Sequence, residues 1–260
     1  MNHLNLFKLL SSNKYVFEYK QLKLRVFFIS YEFIIGKNKK NLDKSFNYII
    51  SPEISEFRRF SPKLKIGVLA SGNGTNFQEL INLSEKGELD IDIKVLITNK
   101  DDAGCIKRAE IAKIPHKIIR GKDFSQKELF ESEIINTLVN YDVELVVMAG
   151  WMKIVSPFFI NKFKNKIINI HPSLLPAYKG GSAIKDSLLN GSKITGCSVH
   201  YVEEEVDSGS LIMQAALPIL NEDNVETLSK KIQILEHIIL PHSISHAGYL
   251  IRGDLGKVIS

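Results

Sequence analysis

Cysteine is nearly missing from this chain: Cys105 and Cys197 are the two among 260 residues. Two cysteines build neither a disulfide framework nor a cysteine-based metal site, so a reducing, cytoplasmic interior is the simpler setting. Long apolar runs are missing as well. No stretch reaches the roughly 20 residues needed to cross a bilayer, and Val26 to Ile35 is broken by Ser30, Tyr31 and Glu32. No small-residue cleavage site follows, which argues against a secretory signal; the acid-poor start is compatible with an organelle transit peptide. A third absence is base on the regular part. The formal charge is +5, yet residues 1 to 62 hold 11 Lys/Arg against 5 Asp/Glu, leaving 23 against 24 in the 198 that follow. A nucleic-acid-binding domain concentrates positive charge on its folded surface. No nucleic-acid partner is expected.

What the chain does have is alternation. Residues 1 to 62 mix Asn, Lys and aromatics without a clean period and read as an N-terminal extension of unknown role. Lys37 to Asn41 reads as exposed loop, and Pro52 and Pro62 bracket the linker. Removing residues 1 to 60 is expected to leave activity intact. From Lys63 to Ser260 the text is that of one domain, and a chain 44% hydrophobic can fill its core. Strands are expected at Leu64–Ala70, Ile91–Thr98, His116–Ile119, Val143–Ala149 and Lys166–Ile170. Between them fall helices from near Thr75, over Ala103–Lys113 (Ile106, Ala109, Ile111 and Ala112 inward) and over Ser125–Asn140 (Leu129, Ile134, Ile135 and Leu138 inward). That order predicts βαβ units and a parallel sheet. Thr195–Val202 and Leu211–Ile219 then read as an antiparallel pair, and Val225–Tyr249 as a closing helix that Pro241 kinks or interrupts.

Several constellations carry chemistry. Pro172 must stop the strand before it, since proline has no amide to give a ladder. Asn169 and His171 lie two residues apart, so in extended backbone both side chains leave on one side. They stand at the carboxyl end of a strand, where open α/β sheets place ligands. An amide donor beside an imidazole suits a developing oxyanion; a turn asparagine and a satisfied buried histidine are the plainer alternative. Ser71-Gly72-Asn73-Gly74-Thr75-Asn76 joins a strand to a helix, where glycines let amides approach an anion and Thr75 and Asn76 can cap the helix. Phe77 stands where a dinucleotide fingerprint needs its third glycine, and no Lys-Ser/Thr pair follows for a Walker loop. A site for one phosphate monoester is left, with a plain tight turn as the alternative.

The acidic turn Glu203 to Gly209 reads as solvated except at Asp207, which precedes Ser-Gly at its sharp part. A carboxylate within about 4–6 Å of His171 favours the charged imidazolium. Gly150 to Val155 offers a ring, a thioether and branched aliphatics suited to a slot for a flat heteroaromatic, or to ordinary core. Glu236 in the last helix reads, by itself, as a surface residue.

KIGVLASGNGTNFQELI, VLITNKDDAG, VVMAGWMKIVSP, NIHPSLLPAYKG, VHYVEEEVDSG and QILEH follow one another from about Lys65 to Ile244. Together they resemble the phosphoribosylglycinamide formyltransferases, a branch of the folate-dependent formyltransferase family. HPSLLP and the downstream aspartate belong to the wider family; SGNGTN narrows the choice to the ribonucleotide. The resemblance implies a doubly wound, Rossmann-like α/β fold, its sheet mostly parallel with late antiparallel strands. It implies two small-molecule substrates, glycinamide ribonucleotide and the co-substrate 10-formyltetrahydrofolate, with no metal, no membrane, and a monomer or homodimer.

By similarity, Asn169, His171 and Asp207 are catalytic, Gly74, Thr75 and Asn76 hold the phosphate, and Gln233 and Glu236 lie near the glycinamide end. Lys127, Met152, Lys153, Ile154, Val155 and Asn169 line the folate slot, with Glu203, Glu204, Glu205, Val206 and Asp207 opposite. Lys127 stands where the family often has arginine, a more directional donor. The amine attacks the formyl carbon, Asn169 and protonated His171 hold the oxyanion, and a water or His171 moves the proton. Three rivals stand beside this. A formyltetrahydrofolate deformylase uses the same trio with water, but carries a regulatory domain in front and lacks the phosphate loop. A methionyl-tRNA formyltransferase adds a basic domain behind. A non-catalytic folate-binding protein shows no turnover.

Overall fold

Val, Ile and Leu in short runs bounded by Gly, Asn and Pro make strands buried on both faces. The computed structural model describes residues 46–253 and the backbone of Gly36 and Lys37, all within one compact unit. The elements are β1 (Gly36–Lys37), β2 (Asn47–Ser51), β3 (Leu64–Leu69), α1 (Thr75–Glu85), β4 (Ile91–Thr98), α2 (Gly104–Ile111) and β5 (His116–Ile118). They continue as α3 (Lys127–Asn140), β6 (Leu145–Met148), α4 (Pro157–Lys162), β7 (Ile167–His171), α5 (Ala183–Leu189), β8 (Ile194–Tyr201), β9 (Leu211–Pro218) and α6 (Val225–Gly253).

The nine strands form one sheet in the order β1-β2-β9-β8-β7-β6-β3-β4-β5. β7, β6, β3, β4 and β5 are parallel. β8, β9, β2 and β1 add antiparallel pairs beyond β7. The fold is therefore doubly wound α/β with late antiparallel strands. From β3 the chain winds outward through β4 to β5, then crosses back to β6 on the other side of β3. The strand order reverses at β3 and β6, and the carboxyl ends of the strands at such a switch point are where open sheets of this kind place their ligands. Ser71 ties the loops leaving β3 and β6: its amide donates to the Gly150 carbonyl at 3.0 Å, and its Oγ accepts from the Met152 amide at 3.0 Å.

Two apolar layers cover the sheet. One joins α1, α2 and α6 to residues such as Ile66, Val68, Ile168 and Ile170; the other joins α3 and α4 to Leu69, Val146 and Ile167. In α2 and α3 the expected inward residues Ala109, Ile134, Ile135 and Leu138 are buried and Ile106 and Ala112 pack against the core, with two exceptions. Ile111 is 73% exposed and Leu129 49%, whereas Cys105 and Phe130 are buried. α6 runs through Pro241 without interruption.

The segment read as extension and linker contributes to this unit from residue 46 onward. β2 pairs antiparallel with β9, Ile50 opposite Ala215, and Phe46, Ile50 and Phe60 are buried in the core. Phe57 stacks on His242 of α6 at 4.3 Å, and the Arg58 amide donates to Ser245 Oγ at 2.7 Å. The readings of Val26 to Ile35 and of a loop at Lys37 to Asn41 fall outside the described residues, apart from Lys37, which lies in β1.

Candidate active site

Alternation along β7 sends Ile168 and Ile170 into the layer under α6 and leaves Ile167, Asn169 and His171 on the opposite face. In β8, His200 is paired with Asn169 and Ser198 with His171. Residues directly opposite share a face, so Asn169, His171 and His200 form one polar patch on an otherwise apolar sheet. His200 lies within the segment VHYVEEEVDSG, but the sequence assigns it no role. The structure adds it to the expected trio.

The β8–β9 connection supplies the carboxylate. Tyr201 is paired with Ile168, so the loop leaves at the far end of β7 from His171. It nevertheless folds back over the patch, bringing Asp207 Oδ2 to 3.3 Å from His171 Nδ1 and Asp207 Oδ1 to 3.5 Å from His200 Nε2. Asp207 adopts φ +51°, and its side chain is 9% exposed. Gly209 makes the fold-back possible: a Cβ there would stand 1.8 Å from the Tyr201 carbonyl oxygen. Burial pushes the Asp207 carboxyl up. The His200 contact, the Gly180 amide at 2.8 Å and the charge of His171 outweigh that and hold it at about 2. Asp207 is thus a carboxylate throughout the physiological range.

Both ring nitrogens of His171 face oxygens, since Nε2 lies 2.8 Å from the Tyr178 carbonyl. Only the imidazolium donates to both. His200 is held differently. Its Nδ1 faces the Tyr201 carbonyl at 2.7 Å and so carries a proton; its Nε2 lies 3.2 Å from Asn169 Nδ2. Nε2 cannot accept from Asn169 and donate to Asp207 in one protonation state. In either state His200 engages at most one amide hydrogen of Asn169 and leaves the other to point elsewhere.

The loop after β3 lies at the same carboxyl end of the parallel strands as Asn169 and His171. Gly74 is the N-cap of α1 in the left-handed conformation, φ +69°, and no side chain caps the helix; Thr75 and Asn76 do not play the capping part expected of them. A Cβ on Gly74 would stand 2.6 Å from Cys105 Cβ. Phe77, at the missing third glycine, is fully buried. Asn76 turns inward and donates through Nδ2 to Glu236 Oε2 at 2.8 Å, while its Oδ1 has no partner among the described residues. Glu236 is therefore no lone surface residue: burial raises its carboxyl pKa, and the Asn76 bond offsets only part of this. Gln233 is half-buried one turn earlier on α6.

In the slot after β6, Met152, Lys153 and Ile154 are exposed, Met152 by 68% and Ile154 by 64%, while Val155 turns into the α3–α4 core. Trp151 is buried against Phe130, and its Nε1 has no partner among the described residues. Glu203, Glu204, Glu205 and Val206 are exposed on the folded-back loop. Lys127 begins α3, its Nζ 3.7 Å from Glu131, a buried carboxylate that also accepts from the Ser156 amide at 2.8 Å. Among the described residues no group of three or more His, Cys, Asp and Glu converges to hold a metal, and no helix is long and apolar enough to cross a membrane.

Comparison with known proteins gives the family. A family model described as formyl transferase matches residues 64–244, so the chain belongs to the formyl transferase family. The phosphoribosylglycinamide formyltransferase of Haemophilus influenzae is 40% identical over 177 residues, 68% of this chain and 84% of that protein. The trifunctional purine biosynthetic protein adenosine-3 of Chironomus tentans is 42% identical over 197 residues, 74% of this chain. The chain spans 14% of that protein and 20% of its Gallus gallus counterpart. Among solved structures, glycinamide ribonucleotide transformylase 1 from Symbiobacterium toebii superposes with TM-score 0.71 at 35% identity, over 76% of this chain and 94% of that one. The phosphoribosylglycinamide formyltransferase of Bacillus halodurans gives 0.68 at 37% identity, over 70% and 94%.

Proposed function

We propose that this chain acts as a phosphoribosylglycinamide formyltransferase, moving the formyl group of 10-formyltetrahydrofolate to the amine of glycinamide ribonucleotide in cytoplasmic purine synthesis. The observation that carries the proposal is one buried carboxylate, Asp207, shared between His171 and His200 beside Asn169. The amine nitrogen attacks the formyl carbon, and the carbonyl electrons move onto its oxygen. The free amide hydrogen of Asn169 and the Nε2–H of His171 are the donors for that oxyanion. When the intermediate collapses, the bond from carbon to N10 breaks, and the proton lost by the amine is delivered to N10 by His171 or a water. Asp207 stays ionised and keeps the imidazole charged and oriented.

Gly74, Thr75 and Asn76 receive the phosphate: their backbone amides, at the start of α1, have no described backbone acceptor outside the helix. Glu236 and Gln233 receive the glycinamide end. Met152, Lys153, Ile154 and the loop from Glu203 to Val206 flank the folate, with Val155 backing the slot from within and Lys127 at its rim. These groups come from one chain, so a monomer suffices and a homodimer leaves the site intact. The catalytic domain is residues 63–260, with residues 46–62 bound along its edge.

Purified protein should form tetrahydrofolate only when glycinamide ribonucleotide is added, followed by absorbance. Folate release without the ribonucleotide would favour the hydrolase, and binding without turnover the folate-binding protein. Asn169→Ala and Asp207→Asn should each lower kcat about 10²-fold or more, as removal of an oxyanion donor does. Wild-type rates in both variants would refute the assignment.

A further inference from the structure

The loop that faces the phosphate is held in place from outside the site, by α2. The Cys105 amide donates to the Gly72 carbonyl at 3.1 Å, and Arg108 Nε donates to the Asn73 carbonyl at 2.7 Å. Two successive loop carbonyls are thus pinned toward α2. A trans peptide is planar, with its N–H opposite its C=O. Pinning the Gly72 oxygen aims the Asn73 amide away from α2, and pinning the Asn73 oxygen aims the Gly74 amide the same way. The left-handed Gly74 then leads into the free amides of α1, so consecutive N–H groups present to one side, the arrangement that binds anions.

Arg108 does more than close one bond. Its Nη1 donates to Gln78 Oε1 at 3.0 Å, so a single guanidinium bridges the loop to the first turn of α1. The planar fork makes both contacts in fixed directions, which an ammonium cannot copy. Packing on this side is close: a Cβ on Gly74 would stand 2.6 Å from Cys105 Cβ, and one on Gly104 would stand 3.2 Å from Asn73.

We propose that Arg108 is a positioning residue for the phosphate subsite, aiming the Gly74 amide by holding the Asn73 carbonyl. The inference rests on the phosphate reading of that loop. It places selectivity for a phosphorylated acceptor partly in a side chain that does not touch the acceptor.

The test compares wild type, Arg108→Met and Arg108→Lys on glycinamide ribonucleotide and on its dephosphorylated riboside. Arg108→Met should raise KM for the ribonucleotide about tenfold or more, as loss of a charged hydrogen bond does. It should leave KM for 10-formyltetrahydrofolate and kcat/KM for the riboside within about twofold. Inorganic phosphate, used as a competitive probe, should weaken by the same factor. Arg108→Lys should stay impaired, because charge is kept and direction is lost. An unchanged ribonucleotide KM in Arg108→Met, or full recovery in Arg108→Lys, overturns the inference. Equal loss on both acceptors overturns it too, since a general structural defect would be the cause. A wild-type enzyme that uses the riboside as well as the ribonucleotide would instead refute the phosphate reading itself.

Discussion

Two buried carboxyls in this fold are tuned in opposite directions, and the difference divides their work. Asp207 has its pKa drawn to about 2 by partners that outweigh burial. Its contribution to stability is present above the ordinary carboxylate value and is lost as pH falls toward about 2. Glu236 has one amide partner against burial, and its pKa rises. The folded protein holds a proton there that the unfolded chain has released, so stability drops as pH climbs above the ordinary carboxylate value of 4.5. Glu236→Gln should therefore raise Tm at pH 8, with the gain vanishing toward pH 4.5, while KM for the ribonucleotide rises roughly tenfold. Thermal scans at the two pH values check the first part, and an equal Tm gain at both would contradict it. The trio was legible in the sequence because each member sits in a short motif. His200, though inside the same segment as Asp207, was not, because its role depends on its cross-strand neighbour Asn169 and on a loop that folds back to bring Asp207 over it.

At the scale of elements, β3 to β9 fell within a residue or two of expectation, since continuous apolar runs leave little choice, while the short α4 and α5 were not foreseen. The inner faces of α2 and α3 were legible except at Ile111 and Leu129. α2 turns Cys105 and not Ile111 inward because its first turn must lie under Gly74, a contact no local pattern announces. α3 buries Glu131 because Ser156, the N-cap of α4, bonds to its carboxylate through amide and hydroxyl. The β8–β9 connection has the most direct functional consequence. Gly209→Ala must separate the hairpin from the Tyr201 carbonyl and withdraw Asp207. Its kcat should fall about as far as that of Asp207→Asn, on the order of 10²-fold. Near-normal turnover in Gly209→Ala would show that the fold-back tolerates more room than the packing suggests.

For the whole molecule, the boundary that matters is where packing begins. β2 covers the edge of β9, and Phe46, Ile50 and Phe60 each bury side chains of the size that contribute roughly 1.5–3 kcal/mol. A chain starting at residue 46, which gives up the two-residue β1 but keeps β2, should keep the activity and most of the Tm of the full chain. One starting at residue 61 should lose Tm markedly and aggregate through the bare β9 edge; equal melting of the two would refute this. The sequence reading could not separate these segments, because NYIIS is a short strand among polar neighbours whose partner lies more than 160 residues on. The site itself also has an occupant of its own. On the proposed reading, a formyl oxygen that reaches His171 must take the place of the Tyr178 carbonyl at Nε2, which otherwise occupies that donor. Apparent affinity for the donor is the intrinsic affinity scaled by how often that carbonyl stands aside, and residues remote from the folate can tune it through the backbone alone.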